Sequence, residues 1–340
     1  MPNQEKKIAI VTGGAGFIGS FLCAELLKSD YKVICIDDFA TGSVNNIDPF
    51  LRDVNFQFLR LNINEPFDLE RFTELEPFKI PFKGIQEIYH LAVPTSIKNF
   101  NTLKEKTLLT SSVGTRNILD LAVKYKAKIL LSSSSVVYGP RKDDMKFLKE
   151  NEIGCVDHLT PRACYDEGRR FAETMFYTYG EVHKIDYKIA RIFRTYGPRM
   201  PLFDGQQIPD FVLQALNNEN VVINGTEEFK TSLVYVTDIV DGIRRLMDYA
   251  GEERVMNFGS DQDFKLVNVA QKIIDLTSST SHISFAEQLA FLSELGLPDI
   301  SLAKEKLGWL PVVRLEDGLQ KTIEYIRANK ILLTGEGEQM

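Results

Sequence analysis

The stretch VTGGAGFIGS, residues 11–20, joins the end of the apolar run KIAIVT to the start of a helical pattern and sets Gly13, Gly16 and Gly19 three residues apart. Glycine at those positions permits a tight turn, close approach of the backbone to a pyrophosphate, and tight packing of the helix on the sheet. A chain built this way begins as strand, phosphate-binding turn and helix. On the glycines alone, a flavin, S-adenosylmethionine or purely structural use of the turn stays open.

Asp37 narrows the choice. It ends the next apolar run, 18 residues beyond Gly19, where a carboxylate accepts hydrogen bonds from the adenosine ribose hydroxyls and repels a 2′-phosphate. The following FATGSVNNI carries no Lys or Arg to hold such a phosphate. NAD is therefore favoured over NADP.

Up to residue 192, short apolar runs (KIAIVT, YKVICID, NFQFLRL, EIYHLA, KILLSSS, DYKIARIF) alternate with amphipathic segments, notably 16–29, 103–124 and 162–184. Runs without strict alternation suit strands covered on both faces. The order predicts an α/β fold, a Rossmann-type doubly wound parallel sheet. After YGPRM the elements shorten, with helical patterns near 206–216, 266–278 and 315–329. SLVYVTDIVDGIRRLMDYA plus RVMNFG reads as strand, helix and strand returning to the main sheet. The expected division is 1–192 plus about 232–259 as the dinucleotide-binding domain, and 193–231 plus 260–330 as a smaller, discontinuous substrate-binding lobe. Residues 331–340 read as a tail, and Trp309 as a core anchor of the lobe.

The net charge of −7 and the lack of a long basic run argue against nucleic acid as a partner. The four cysteines form no C-x-x-C pair and the four histidines have no metal-ligand spacing, so reduced cysteines and no metal are expected. No apolar run approaches a membrane span and MPNQEKK has no signal-peptide character, so a cytoplasmic protein without membrane contact is expected.

TGGAGFIG, HLA, SSSSVVYG, YDEGR and RIFRTYGPR, in this order, resemble the extended short-chain dehydrogenase/reductase family, the NAD-dependent nucleotide-sugar epimerases, dehydratases and decarboxylases. PRACYDEGRRFAETM and PDISLAKEKLGWLPVVRLEDGL are most similar to UDP-glucuronate decarboxylases. The resemblance implies that Tyr165, as phenolate, removes a proton from a sugar hydroxyl, usually at C4, while Ser134 orients that hydroxyl. It implies a cofactor site from Gly13, Gly16, Phe17 and Ile18, from Asp37 and Asp38, from Asn62 and Ile63, from Leu91 and Ala92, and from Ser111, Tyr165 and Arg169. Substrate contacts are expected from Ser135, Arg162, Arg194, Arg199, Lys230 and Thr231. Segments matching 103–124 and 162–184 pair in this family as a four-helix bundle, which implies a homodimer.

Several positions depart from the family pattern. Arg169 stands four residues after Tyr165, where lysine is usual. It keeps the positive charge that a tyrosine base needs, and its fork offers donors for the nicotinamide ribose, in a different geometry. Val136 replaces the glutamate of decarboxylases and dehydratases, and Ser135 the aspartate that dehydratases add, so the acid for loss of CO2 or water is missing. Arg194 replaces an asparagine that meets the diphosphate, and Thr231 an arginine that does so, which suggests that one positive charge has moved. Asn62 stands for the usual acidic residue near the adenine, and Ser111 for an asparagine. The leading expectation is an epimerase-type oxidoreductase acting through transient C4 oxidation. The alternatives are a decarboxylase or 4,6-dehydratase, and an NAD-binding protein with little turnover.

Overall fold

A computed structural model describes residues 6–141, 147–287 and 295–334. Seven parallel strands form the central sheet: β1 Ile8–Thr12, β2 Lys32–Asp37, β3 Phe56–Arg60, β4 Glu87–His90, β5 Lys128–Ser134, β6 Tyr187–Ile192 and β7 Val255–Phe258. Their order is β7-β6-β5-β4-β1-β2-β3. Thr12 is paired with Ile36 on one side and His90 on the other, so β1 and β4 flank the point where the winding reverses.

The helices that matter for the site are α1 Phe17–Lys28, α2 Phe100–Leu109, α3 Thr115–Tyr125, α4 Ala163–His183, α5 Gln207–Leu216, α6 Val236–Asp248, α7 Leu266–Thr277 and α8 Leu315–Thr334. Alternate residues of each strand feed opposite cores, because side chains alternate across a strand. Ala9, Val11, Val33 and Cys35 join Leu22 of α1 and Ile239 and Ile243 of α6 on one face. Ile8, Ile10, Ile34 and Ile36 join Ile118 and Leu119 of α3 and Phe176 of α4 on the other. Both faces are therefore dry, which is why the strands read as continuous apolar runs.

Between α2 and α3 the helix widens into a π turn, Thr110–Gly114. Such single-turn widenings redirect side chains and cluster at functional sites. Here it faces α4 closely: a β-carbon on Gly168 would lie 2.9 Å from Ser111 Oγ.

A third core gathers Phe211 and Val212 of α5, Val269 and Ile273 of α7, and Leu319 and Ile323 of α8. Three features differ from the sequence reading. Val234–Tyr235 does not enter the main sheet but pairs with Thr195–Tyr196, and only β7 returns to the sheet edge. Trp309 belongs to the core beneath the sheet: it packs edge-on against Phe258 and its indole N–H donates to the Asp238 carbonyl (2.8 Å). The expected tail from 331 is still helical through Thr334, and its remainder, 335–340, lies outside the described residues. No described helix is long and apolar enough to cross a membrane.

Candidate active site

The glycine turn is held by contact. Gly13 has φ +72°, and a β-carbon there would meet the Ala92 backbone nitrogen at 2.8 Å. A β-carbon on Gly19 would sit 2.1 Å from the Gly13 carbonyl oxygen, so α1 can approach the turn only without side chains. Gly16 caps α1 with no side-chain partner, which leaves the first-turn N–H groups at Phe17 and Ile18 facing a cleft over the carboxyl ends of the strands. Asp37 accepts from the N–H groups of Ala15 (3.0 Å) and Phe39 (2.8 Å). Burial raises its pKa while those donors oppose the rise. A backbone cradle at a helix N-terminus, followed by a carboxylate at the next strand end, fits a dinucleotide.

The cleft brings together most of the residues picked out from the sequence. Gly13, Gly16, Phe17, Ile18, Asp37, Asp38, Asn62, Ile63, Leu91 and Ala92 line one end, and Ser134, Ser135, Val136, Arg162, Tyr165, Arg194 and Thr231 the other. Ser134 and Ser135 are placed by β5 running out at the cleft floor, and Tyr165 by the first turn of α4.

Arg169 does not open onto the cleft. It is 0% exposed. Its Nη2 donates to Ser111 Oγ (2.9 Å) and Nη1 to the Ser132 carbonyl (3.3 Å), while Nε finds no acceptor among the described residues. The expectation that Arg169 and Ser111 touch the cofactor is corrected: the arginine is long enough to pass behind Tyr165 into the seam between α4, the π turn and β5. Its guanidinium carbon still lies 6.0 Å from the Tyr165 ring centre. Burial lowers the Arg169 pKa, opposed by attraction to Tyr165 and Glu173. Glu173 is itself engaged by Arg191 (2.8 Å) and Ser133 Oγ (2.5 Å).

At the end of the cleft lined by Tyr165, Arg194 Nη1 donates to Thr231 Oγ1 (3.1 Å). Burial, reinforced by the charge of Arg162, pushes its pKa down to about 10. Arg162 is held by Asp166 (2.8 Å). Arg199 and Lys230 do not line the cleft, contrary to expectation. Arg199 is laid over the rings of Phe21 and Phe50, at 4.7 and 5.6 Å, and Lys230 is tied into a short strand pair with Phe264–Lys265.

Lys106 escaped the sequence reading. It reaches from α2 into the end of the cleft lined by Asp37 and Asp38 and pairs with Asp38 at 2.6 Å. Nothing local in the sequence signals a contact across 68 residues. Among the described residues no cluster of three or more His, Cys, Asp or Glu could hold a metal ion.

Comparison with known proteins agrees with this geometry. Residues 9–259 match the NAD dependent epimerase/dehydratase family. The chain is 38% identical over 327 residues to "UDP-glucuronic acid decarboxylase 1" of Xenopus tropicalis, covering 96% of this chain and 74% of the relative. Among solved structures, the UDP-glucose 4-epimerase of Thermotoga maritima with UDP-glucose superposes with a TM-score of 0.82 at 26% identity, over 95% of this chain and 99% of that one. The UDP-glucuronic acid 4-epimerase of Bacillus cereus in complex with NAD gives 0.79 at 26% identity, over 94% and 99%. On sequence and architecture together, the chain belongs to the NAD dependent epimerase/dehydratase family.

Proposed function

We propose that the protein is an NAD-dependent nucleotide-sugar epimerase-type oxidoreductase that acts by transient oxidation of the sugar C4 hydroxyl. The observation that carries this reading is Val136, which lines the cleft beside Ser134 and Ser135 at 4% exposure. A valine neither gives nor takes a proton, so loss of water or CO2 has no acid there, whereas epimerisation needs none beyond Tyr165.

Bound in the glycine cradle, NAD supplies reversible hydride exchange. Ser134 holds the C4 hydroxyl. Tyr165 takes its proton and later returns it to the carbonyl oxygen, after the keto sugar has presented its other face. Arg169 acts from behind as a fixed positive charge, worth more in a dry seam than in water. Val93, Ile97, Phe193 and Leu233 supply apolar walls. Arg194, helped by Arg162, holds the anionic part of the nucleotide sugar.

One observation favours a second reading: the similarity to UDP-glucuronic acid decarboxylases spans 96% of the chain. That reaction would need an acid from elsewhere in the cleft. We also assign a homodimer to the face of α2 and α4, where Leu108, Phe171, Tyr177 and Val182 are 49 to 67% exposed. Sedimentation showing only monomer at micromolar concentration would remove that assignment.

The deciding experiment is mass spectrometry of the protein incubated with NAD and a mixed pool of nucleotide sugars, beside Tyr165→Phe. A Tyr165-dependent isomer of unchanged mass supports the epimerase reading. Loss of CO2 or water supports the second reading. No product, with NAD released on denaturation, identifies a binding protein with little turnover.

A further inference from the structure

His90 ends β4, lies wholly out of solvent and takes part in none of the steps above. Its ring is stacked parallel to Phe176 of α4, centres 6.4 Å apart. Nδ1 is 2.8 Å from Thr12 Oγ1, and Nε2 is 3.1 Å from Thr115 Oγ1. The neighbours decide which nitrogen carries hydrogen. Thr115 gives its hydroxyl hydrogen to the Thr110 carbonyl (3.1 Å), so its oxygen turns a lone pair to the ring and Nε2 donates. The Ala92 N–H donates to Thr12 Oγ1 (3.3 Å), which leaves the Thr12 hydrogen for Nδ1. From Ala92 to Thr110 the donors run one way through a neutral imidazole. Burial and the nearby Arg169 charge agree with that assignment, pressing the ring's pKa down to about 3.

Both ends of this chain matter. Thr12 adjoins Gly13 and Ala92 lines the cleft floor. Thr110 opens the π turn, and the next residue is Ser111, the seat of Arg169.

We infer that His90 is a positioning residue: it clamps the π turn to the cleft floor so that Ser111 seats Arg169 behind Tyr165. The inference rests on the reading of Tyr165 as the proton-transfer group. An apolar residue at 90 leaves Thr12 and Thr115 without that partner in a buried seam. An imidazolium reverses one donor and sets a second positive charge beside Arg169. Either change lets the turn relax and carries Ser111 off the guanidinium. The described charged groups facing this region include Arg162 at the cap of α4, Asp166, Arg169 and Glu173 on α4, and Lys104 from α2, near Cys164. Substitution at 90 or 115 removes none of these side chains.

The test uses full-length His90→Leu, His90→Gln and Thr115→Val. In each, the ultraviolet phenolate signal that Tyr165→Phe removes is titrated against pH, and kcat and KM are measured with the nucleotide sugar that turns over. In the Leu and Val variants that signal, read at one fixed pH, is expected to fall by about tenfold. Turnover at neutral pH falls by about tenfold with it, KM holding. His90→Gln, whose amide can both donate and accept, restores most of the loss. Thr115→Val keeps the shape of the side chain, so it answers the question even where His90→Leu fails to fold. Variants that melt earlier yet titrate as the parent does would overturn the inference and make His90 a packing residue. If Tyr165→Phe leaves turnover intact, the parent reading fails separately, while the titration still reports on the clamp.

Discussion

Arg194 sets its Nη1 3.1 Å from Thr231 Oγ1, so a guanidinium from the end of β6 stands against the lobe position where the family resemblance places an arginine. The charge reaches the cleft from the sheet, and no described carboxylate is paired with it. Arg194→Ala is expected to weaken nucleotide-sugar binding by roughly 10- to 100-fold, the loss of a charge-assisted contact of about 1.5–3 kcal/mol. Calorimetric titration checks this. Arg194→Asn combined with Thr231→Arg should recover much of the affinity, and a single Ala variant that binds like the parent would refute the relocation.

Val136→Glu restores a carboxyl in the cleft at the cost of burying it. Its surroundings should hold the new group partly protonated, as desolvation favours the neutral form. The expected result is a trace of CO2 released from a nucleotide-linked uronic acid, absent from the parent, with a melting temperature lowered by several degrees for a loss of about 1–2 kcal/mol. Product mass and a thermal melt check both.

The neutral state of His90 predicts an acid limb in stability. Its pKa falls from 6.5 to about 3 on folding, through burial and then Arg169. Above pH 6.5 neither folded nor unfolded chain binds the proton. Below it the unfolded chain does and the folded chain refuses, so stability drops by up to about 1.4 kcal/mol per pH unit until the folded pKa is reached. Denaturant midpoints at pH 7 and 5.5 should therefore separate more for the parent than for His90→Gln. Equal separations would mean that His90 titrates in the fold.

Asp38 keeps Lys106 occupied at its end of the cleft. Asp38→Ala frees that cation while leaving Asp37, whose hydrogen bonds to Ala15 and Phe39 do not involve it. NADP binding is expected to strengthen by roughly two- to fivefold relative to NAD, in keeping with one partly exposed charge pair. Competition of the two dinucleotides, followed by fluorescence, measures the ratio.

The sheet could be read from the sequence because its strands are buried on both faces and stay apolar for their whole length. The short pairs could not: Thr195–Tyr196 and Val234–Tyr235 meet across 39 residues with two residues each, too few for a periodicity. Within the candidate site, the glycine turn and Asp37 announce themselves through local spacing, whereas Ser134 and Tyr165 are picked out by the resemblance of SSSSVVYG and YDEGR to the family's motifs. The direction of Arg169 is signalled by neither, since helical spacing puts it near Tyr165 and only the π turn and the β5 carbonyl decide where its fork ends. Trp309 packs in the sheet's own core for a similarly non-local reason: its partners Phe258 and Asp238 belong to the strand β7 and the helix α6 that cover the sheet's edge and face.

The π turn also fixes a phase relation along one long helical rod. Leu108, before it, points outward, while Thr115, Ile118 and Leu119, after it, point into the sheet. A helix advances about 100° per residue, so removing one residue from Thr110–Gly114 would turn the two halves against each other by that angle. The outward apolar face and the seat of Arg169 would then fall out of step together. The molecule's exterior at α2 and the chemistry behind Tyr165 are bound to drift, or be preserved, as one.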